Sequence, residues 1–257
     1  MNFKCQAEAV ESLKRLAEHQ QHGVIITGES GSGKTYLAKQ YARMLAIPDF
    51  YIVNPVMSDM KSVISGCVEN GTSVVICVEN LDSGVVQVSY PLLKFIEDCP
   101  RYAYIVVTCT NLYAVPDTIA SRCALVTINQ PTPSDIMQYA QSKNPDAICY
   151  KHKVWSCVRS FGDADTVLDF TPEQLQYFEN LPGVVTAKGA VSNIAWKIQH
   201  YDDNTESPIS IVIRYLLKEL GSSNRQAYID CLNDLVENRI SKNAIISRLV
   251  FALKYTR

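Results

Sequence analysis

The segment GESGSGKT, Gly28–Thr35, constrains the fold more than any other stretch of this chain. It fits the pattern G-x-x-x-x-G-K-[ST] without a mismatch, follows the strand-like run VIIT and opens the helical pattern KTYLAKQYARML. Glycines let backbone N–H groups curl around phosphate oxygens, and the amino terminus of a helix adds a favourable field. The segment therefore predicts a nucleotide-binding loop made of Gly28, Glu29, Ser30, Gly31, Ser32, Gly33, Lys34 and Thr35.

Two side chains of this loop have predicted tasks. Lys34 would reach the β and γ phosphates, and the hydroxyl of Thr35 would be a magnesium ligand. The alternative interpretation is a chance glycine-rich turn. It is disfavoured because strand, loop and helix follow one another in the required order.

Short β-branched runs alternate with helical patterns over residues 1–130. The strand-like runs are almost continuously apolar, as is typical of parallel strands that are covered on both faces. We predict strands at 23–28, 51–54, 73–80, 103–111 and 124–128, and helices at 34–46, 58–70, 89–98 and 116–121. Strands separated by helices predict an α/β module with a parallel sheet.

The strand signals stop after NQPTPSD, residues 129–135, where Ser134 and Asp135 can cap the next helix. We predict a small helical domain over 131–170 and an all-helical domain over 171–257. The second of these is expected to be interrupted at LPG (181–183) and GSSN (221–224). The run ISIVIRYLLKEL, 209–220, is apolar nearly all round, which favours burial among helices or against a partner.

The charge and cysteine content restrict the class of protein. The 24 basic and 26 acidic side chains give a net charge of −2, so any contact with DNA must come from a local basic patch. Nine cysteines without C-x-x-C spacing argue against zinc and fit a reduced cytosolic protein. The amphipathic N-terminus lacks the apolar block of a signal peptide, and no apolar stretch approaches the ~20 residues that span a bilayer. We expect a soluble cytoplasmic protein without a membrane partner.

Five motifs follow the loop in order: VVICVENLD (74–82), PLLKFIEDCP (91–100), YIVVTCTN (104–111), VPDTIASRC (115–123) and LVTINQPT (125–132). In order and spacing, residues 20–135 resemble the clamp-loader branch of the AAA+ ATPases, which includes replication factor C and the loaders of T-even-type phages. The triplet Ser121-Arg122-Cys123 is the most specific element of the resemblance. The resemblance implies an AAA+ module followed by a helical lid (131–170) and a helical collar (171–257), with ATP and Mg²⁺ as cofactors.

The resemblance also implies roles for strand-end and helix-end residues. Arg122 would be the arginine finger that reaches the γ-phosphate of a neighbouring subunit, an effect worth roughly 10³–10⁵ in rate in other nucleotide hydrolases. Thr110 or Asn111 would be the first sensor, which orients water or the γ-phosphate. The plainer alternatives are a solvated arginine after a helix and ordinary turn chemistry at a strand end.

The acidic pair of the family is altered in this chain. Counting back from Leu92-Leu93-Lys94 places the family's magnesium aspartate on Glu79 and its catalytic glutamate on Asn80. Glu79 keeps a carboxylate for the metal, whereas the amide of Asn80 cannot accept a proton, so slow hydrolysis or none is expected. A one-residue slip would make Glu79 the catalytic carboxylate and put Val78 at the metal position.

Two further departures weaken the likeness to an active ATPase. In FGDADTVL, Asp165 stands where the family has its second-sensor arginine, and an acidic side chain pointing inwards would repel the γ-phosphate. Arg159 or Lys153 could substitute. The segment before the loop, which in the family helps to hold adenine, is short, and this favours a phage or mobile-element origin.

The resulting hypothesis is an ATP-binding subunit of a sliding-clamp loader that acts in DNA replication. Its partners would be the sliding clamp, primer–template DNA and the other subunits of a homo- or hetero-pentamer, in the host cytoplasm if it is phage-encoded. The alternative is a non-catalytic AAA+ scaffold, or a regulatory or helicase-loader-like subunit, that binds ATP structurally. The residues leave open whether ATP is hydrolysed.

Overall fold

The structure, a computed structural model, describes residues 3–54, 72–83, 92–98, 100–186, 190–200, 208–220, 225–236 and 241–255. They divide into two compact units, one of residues 1–135 with 160–162 and one of 136–159 with 163–257. The predicted helix over 58–70, the first part of the predicted helix over 89–98 and the predicted interruption at 221–224 lie outside the described residues.

The first unit contains a parallel five-stranded sheet and the helices around it. Its strands are β1 (Gly23–Thr27), β2 (Asp49–Val53), β3 (Val74–Val78), β4 (Ala103–Cys109) and β5 (Ala124–Thr127). Its helices are α1 (Ala7–Glu18), α2 (Lys34–Met44), α3 (92–97) and α4 (Asp117–Ala120). The five predicted strands are thus present, with ends that differ from the prediction by at most two residues.

The strands lie in the order β2-β3-β4-β1-β5, so β1 is flanked by β4 and β5. In a parallel sheet, all carboxyl ends meet at one edge, and ligands bind where the strand order reverses. The residues that follow β1, β3 and β4 are therefore neighbours, although they are far apart in sequence.

Alternating side chains of the sheet form two apolar cores, one on each face. Val24 and Ile26 face α1 and α2, where Leu13, Leu37 and Tyr41 are fully buried. Ile25 belongs to the core on the opposite face, which also contains Leu92 and Phe95 of α3. All residues of β1, β3 and β4 are buried, which agrees with the predicted two-sided cover. For the edge strands β2 and β5 the same prediction is wrong, because most of their residues are not buried.

The second unit is helical. It contains most of α5 (Pro133–Lys143) and α6 (Phe161–Leu168), followed by α7 (Pro172–Thr186), α8 (Val191–Gln199), α9 (Ile209–Leu220), α10 (Arg225–Val236) and α11 (Lys242–Tyr255). Two 3₁₀ turns, Ile148–Lys151 and Lys153–Cys157, connect α5 to α6. The apolar helix α9 is buried within this unit, in one core with α7, α8, α10 and α11. The division into lid and collar at residue 171 stays a prediction.

The predicted interruption at 181–183 is wrong, because α7 continues through Pro182. A proline inside a helix removes one hydrogen bond and costs about 3 kcal/mol. Here the buried side chains of Phe178, Leu181 and Val185 lie on both sides of the proline and hold the helix together. Thr186 Oγ1 donates to the carbonyl oxygen of Pro182 at 3.0 Å.

The predicted cap of α5 is also displaced by two residues. Thr132 caps this helix, since the N–H of Asp135 donates to Thr132 Oγ1 at 3.2 Å and Asp135 Oδ2 accepts the Thr132 N–H at 3.0 Å. This reciprocal pair is a capping box, and Pro133 occupies the first helical position, which proline favours. Ser134 is exposed.

Candidate functional site

The predicted nucleotide loop connects β1 to α2 at the carboxyl edge of the sheet. Gly31 and Gly33 have φ values of +72° and +95°, a backbone region that side chains with a Cβ rarely enter. Helix α2 begins at Lys34, so its first N–H groups, which have no partner within the helix, belong to the loop. This is the geometry that anion-binding loops require.

Lys34 lies inside the loop. Its Nζ donates to the carbonyl oxygens of Gly28 at 2.8 Å and Glu29 at 2.9 Å, and the side chain is buried. Burial lowers the pKa of Lys34, while the nearby carboxylates of Asp82, Glu79 and Glu29 oppose that shift. The ammonium is thus held at the loop, next to the position that a bound phosphate group would occupy.

Thr35 and Glu79, the two predicted magnesium ligands, are in contact. Thr35 Oγ1 donates to Glu79 Oε1 across the gap between α2 and the end of β3. The contact places the Glu79 carboxylate, rather than Val78, beside the loop, because Val78 is fully buried in the sheet core. The geometry therefore favours the first of the two sequence registers, with Glu79 at the metal position and Asn80 after it.

Asn80 occupies an unusual backbone conformation. Its φ is +49°, in the left-handed region that asparagine tolerates better than most residues. Its N–H donates to the side-chain oxygen of buried Thr108 at 3.0 Å. This bond holds the turn after β3 against the neighbouring strand β4.

Thr110 and Asn111, the predicted first sensors, are held by Asp82. Asp82 Oδ2 accepts both of their backbone N–H groups, at 2.9 and 2.8 Å. Asn111 Oδ1 in turn accepts the N–H of Tyr113 and caps the short turn Leu112–Ala114. Asn111 therefore has a local structural task, and Thr110 is the more available of the two candidates.

Arg122 lies at the opposite edge of the sheet from the loop. It precedes β5, which runs parallel to β1, whereas the loop follows β1. The two edges are separated by the five residues of β1, roughly 16 Å at about 3.3 Å per residue. Arg122 forms an exposed ion pair with Glu97 at 2.7 Å and donates to the carbonyl oxygen of Thr118 at 2.8 Å.

Asp165, which the sequence resemblance aligns with a second-sensor arginine, is paired within the second unit. Its carboxylate accepts hydrogen bonds from Tyr139 at 2.9 Å and from Lys143 at 2.6 Å. The bond to Asp165 raises the pKa of Lys143. Of the two proposed substitutes, Lys153 pairs with Glu219 at 2.6 Å, and Arg159 has an exposed side chain.

The motif analysis missed three loop-contacting residues, Gln6, Phe161 and Gly162. Gln6 Nε2 donates to the carbonyl oxygen of Ser32, while the N–H groups of Phe161 and Gly162 donate to that of Gly31. The only hint of the role of Gln6 is its position in the chain, next to Cys5 and near Ala9, which are both buried. A polar side chain among buried neighbours must have a hydrogen-bond partner.

Among the described residues, no cluster of three or more His, Cys, Asp or Glu side chains could hold a metal ion by itself. A cation at Thr35 and Glu79 would therefore take its further ligands from water or from a bound phosphate. Within the same part of the chain, no helix is long and apolar enough to cross a membrane.

Comparisons with known proteins agree with this architecture. Residues 51–132 match the family model described as DNA polymerase III, delta subunit. A DNA polymerase III gamma subunit-related protein from Thermotoga maritima is similar with a TM-score of 0.57 and 16% identity, over 96% of this chain and 98% of that one. The chain has an AAA+ fold. No curated protein matches its sequence.

Two other solved structures share this AAA+ fold. The Thermotoga maritima RuvB Holliday junction branch migration motor has a TM-score of 0.52 and 15% identity, over 97% of this chain and 83% of that one. The replication initiator DnaA, solved with AMPPCP and single-stranded DNA, has a TM-score of 0.52 and 11% identity, over 98% and 95%. At these identities the likeness extends to the fold alone.

Proposed function

We propose that this AAA+ protein is an ATP-binding subunit of a sliding-clamp loader, which turns over ATP slowly or not at all at its own site. The observation that carries the proposal is the contact between Thr35 and Glu79. It joins the end of the nucleotide loop to the strand-end carboxylate, the two groups that bind magnesium in proteins with this loop.

The described residues fit a nucleotide. Two glycines with positive φ, the buried Lys34 and the start of α2 form a cradle for phosphate groups. Ser32 Oγ is fully buried and, among the atoms that the structure describes, has no hydrogen-bond partner. A bound phosphate oxygen or a water molecule would satisfy it. Thr35 and Glu79 would hold Mg²⁺, which neutralises phosphate charge when bound.

Asn80 makes slow hydrolysis the expected behaviour. Its amide can position a water molecule by hydrogen bonding, but it is neither a base nor negatively charged. We propose that Glu79, Thr110 and Asn111 surround the reacting end of the nucleotide with Asn80. In this arrangement ATP serves mainly to order the subunit for assembly.

We propose that Arg122 acts on a neighbouring subunit. Its place at the amino edge of the sheet, roughly 16 Å from its own loop, supports an action in trans. The partners would be other subunits of a homo- or hetero-pentamer, the sliding clamp and primer–template DNA, in the cytoplasm of a cell or of a phage host.

Subunit mixing tests the proposal. Both variants are made in an Asn80→Glu background. The Lys34→Ala chain keeps Arg122 but lacks the lysine expected to bind the phosphates. The Arg122→Ala chain keeps that lysine but lacks the arginine finger. We expect ATP turnover with primer–template DNA to be near background for either chain alone and to return in the mixture. The control is a chain with both substitutions mixed with the Arg122→Ala chain, which should stay silent. A mixture without turnover would contradict the trans action of Arg122.

The second candidate is a non-catalytic AAA+ scaffold that keeps ATP as a structural ligand. It is favoured by Asn80 and by Asp165, whose pairing with Lys143 puts a structural ion pair where the family has a sensor. Wild-type protein that binds ATP but remains silent, and stays silent after Asn80→Glu, would support the scaffold over the loader.

A further inference from the structure

Two consecutive carbonyl groups of the nucleotide loop are bound by residues outside the loop. Ser32 O accepts the side-chain amide of Gln6 at 2.9 Å. Gly31 O accepts the backbone N–H groups of Phe161 at 3.1 Å and Gly162 at 3.4 Å. We name Gln6, Phe161 and Gly162 the outer brace. All three belong to the first unit.

The outer brace is packed as a fixed structure. Gln6 is 2% exposed, so its amide has little freedom to leave Ser32 O. The ring of Phe161 lies 4.9 Å, centroid to centroid, from the ring of Phe3 in the N-terminal segment, and both rings are buried. The two chain segments that supply the brace therefore hold each other as well as the loop.

Two loop glycines lie very close to the residues around them. A Cβ on Gly33 would lie 2.5 Å from Gln6 Nε2, and a Cβ on Gly31 would lie 2.4 Å from Ser160 Oγ. Contacts this short do not occur in folded proteins, so a Cβ at Gly33 would displace the Gln6 amide, and a Cβ at Gly31 would displace Ser160, which precedes Phe161. The motif allows any residue at position 31. The close contact with Ser160 and the φ of +72° explain why this chain has a glycine there.

The hydrogen bond from Gln6 sets the direction of a backbone N–H group that could bind a phosphate oxygen. In a trans peptide, the C=O and the N–H point in opposite directions. Holding Ser32 O on the outside therefore directs the N–H of Gly33 towards the other side of the loop. Glycine-rich backbone loses much conformational entropy when it is fixed, so a loop that is fixed in advance binds its ligand more tightly.

We propose that Gln6 is a positioning residue for phosphate binding, which acts by holding the Ser32–Gly33 peptide in its binding orientation before the ligand arrives. This inference rests on the proposed function, since it assumes that the loop binds a nucleotide. Gln6 touches the loop backbone from outside, so its effect falls on the triphosphate part of the ligand rather than on the base.

The test compares Gln6→Met with a matched control. Methionine keeps the length and the apolar packing of the side chain but removes the donor. Gln21→Met is the control, because Gln21 Nε2 also donates to a backbone carbonyl, that of Gly23, at the other end of β1. Binding of a fluorescent ATP analogue is measured together with competition by inorganic triphosphate and by adenosine, and thermal unfolding verifies that each variant is folded.

We expect Gln6→Met to weaken the binding of both the ATP analogue and triphosphate by about fivefold to tenfold, the effect of one neutral hydrogen bond. Competition by adenosine should not change, and Gln21→Met should stay within about twofold of the wild type. Unchanged affinity in a folded Gln6→Met protein would overturn the inference. Weaker binding of the ATP analogue with unchanged binding of triphosphate would overturn it too, because Gln6 would then act on the base.

Hydrogen exchange of the loop, measured without nucleotide, separates this inference from the proposed function. In Gln6→Met the amides of residues 28–35 should exchange faster than in the wild type and in Gln21→Met. If the wild type bound neither compound, the proposed function would fail. Faster exchange would then still support the brace as a device that holds the loop, and unchanged exchange would overturn it.

Discussion

The backbone N–H of Asn80 donates to Thr108 Oγ1 at 3.0 Å, while Asn80 itself has a φ of +49°. The residue that the sequence resemblance aligns with a catalytic glutamate thus also lies in a left-handed turn. This conformation costs most residues with a Cβ roughly 1–2 kcal/mol, and asparagine and aspartate less. The chemistry and the backbone of this position are therefore coupled.

We expect Asn80→Glu to lower the free energy of unfolding by about 1 kcal/mol because glutamate lacks the local hydrogen bonding that suits this conformation. Asn80→Asp, which also introduces a carboxylate, should cost less than half as much. Urea denaturation of the three proteins provides the measurement. Equal stability of the wild type and Asn80→Glu would contradict the prediction and show that the turn relaxes. The ATP turnover of the variant and of the wild type should be compared at an equal folded fraction.

Asp82 should matter through its two hydrogen bonds to the strand end after β4. Asp82→Ala leaves the N–H groups of Thr110 and Asn111 without their acceptor and is expected to cost about 1–2 kcal/mol. Asp82→Asn keeps an oxygen acceptor and should cost about half of that. Amide exchange at Thr110, followed by NMR, should accelerate in the alanine variant. Asp98→Ala is the control because Asp98 is exposed, and an effect of equal size there would refute the specific role.

Asp135 predicts an acid-dependent contribution to stability. Burial favours its protonated form, but hydrogen bonds from Thr132 and from the N–H of Lys4 outweigh burial and lower the pKa of Asp135. A lowered pKa in the folded state gives stability that is present above the ordinary pKa of 3.8 and is lost as the pH falls through the folded value.

Asp135→Asn should therefore destabilise the protein by about 1–3 kcal/mol at pH 7. The effect should be much smaller at the lowest pH at which the protein is still folded, where the Asp135 carboxyl becomes protonated. Unfolding in urea at a series of pH values measures the difference. Ser134→Ala, which changes the exposed neighbour on the same helix, serves as the control. A difference between Asp135→Asn and the wild type that did not vary with pH would contradict the assignment.

Features that depend on nearby residues could be predicted from the sequence. The loop, its strand and its helix form one continuous stretch from Gly23 to Met44, and their pattern specified them correctly. The buried strands were predicted because two-sided burial leaves a continuous apolar run. The cap of α5 was nevertheless placed on Ser134 and Asp135, whereas Pro133 occupies the first helical position and Thr132 is the cap.

Features that depend on distant residues could not be predicted in this way. The contacts of Gln6 and Phe161 with the loop join segments that no sequence period connects. The direction of Asp165 is set by Lys143 and Tyr139, so the expected repulsion of a phosphate depended on a pairing that is visible only in three dimensions. At Pro182 the buried neighbours outweigh a strong local signal for a helix end.

Glu97 should compete with a neighbouring subunit for Arg122. The side chains of Arg122 and Glu97 are 41% and 46% exposed, and an exposed ion pair contributes about 0–1 kcal/mol, so Arg122 can leave Glu97 at little cost. Glu97→Gln removes this competitor. If Arg122 acts in trans, turnover in the subunit mixture should rise by up to about fivefold, and the free energy of unfolding should change by less than about 0.5 kcal/mol.

The matched control is Glu11→Gln, which removes the exposed ion pair of Glu11 with Lys14 at 3.7 Å in α1. It should leave both turnover and stability unchanged. A fall in turnover with Glu97→Gln alone would reverse the assignment, because Glu97 would then hold Arg122 in the orientation that the neighbouring site needs. Equal turnover in all three proteins would mean that the pair breaks on assembly without limiting the reaction.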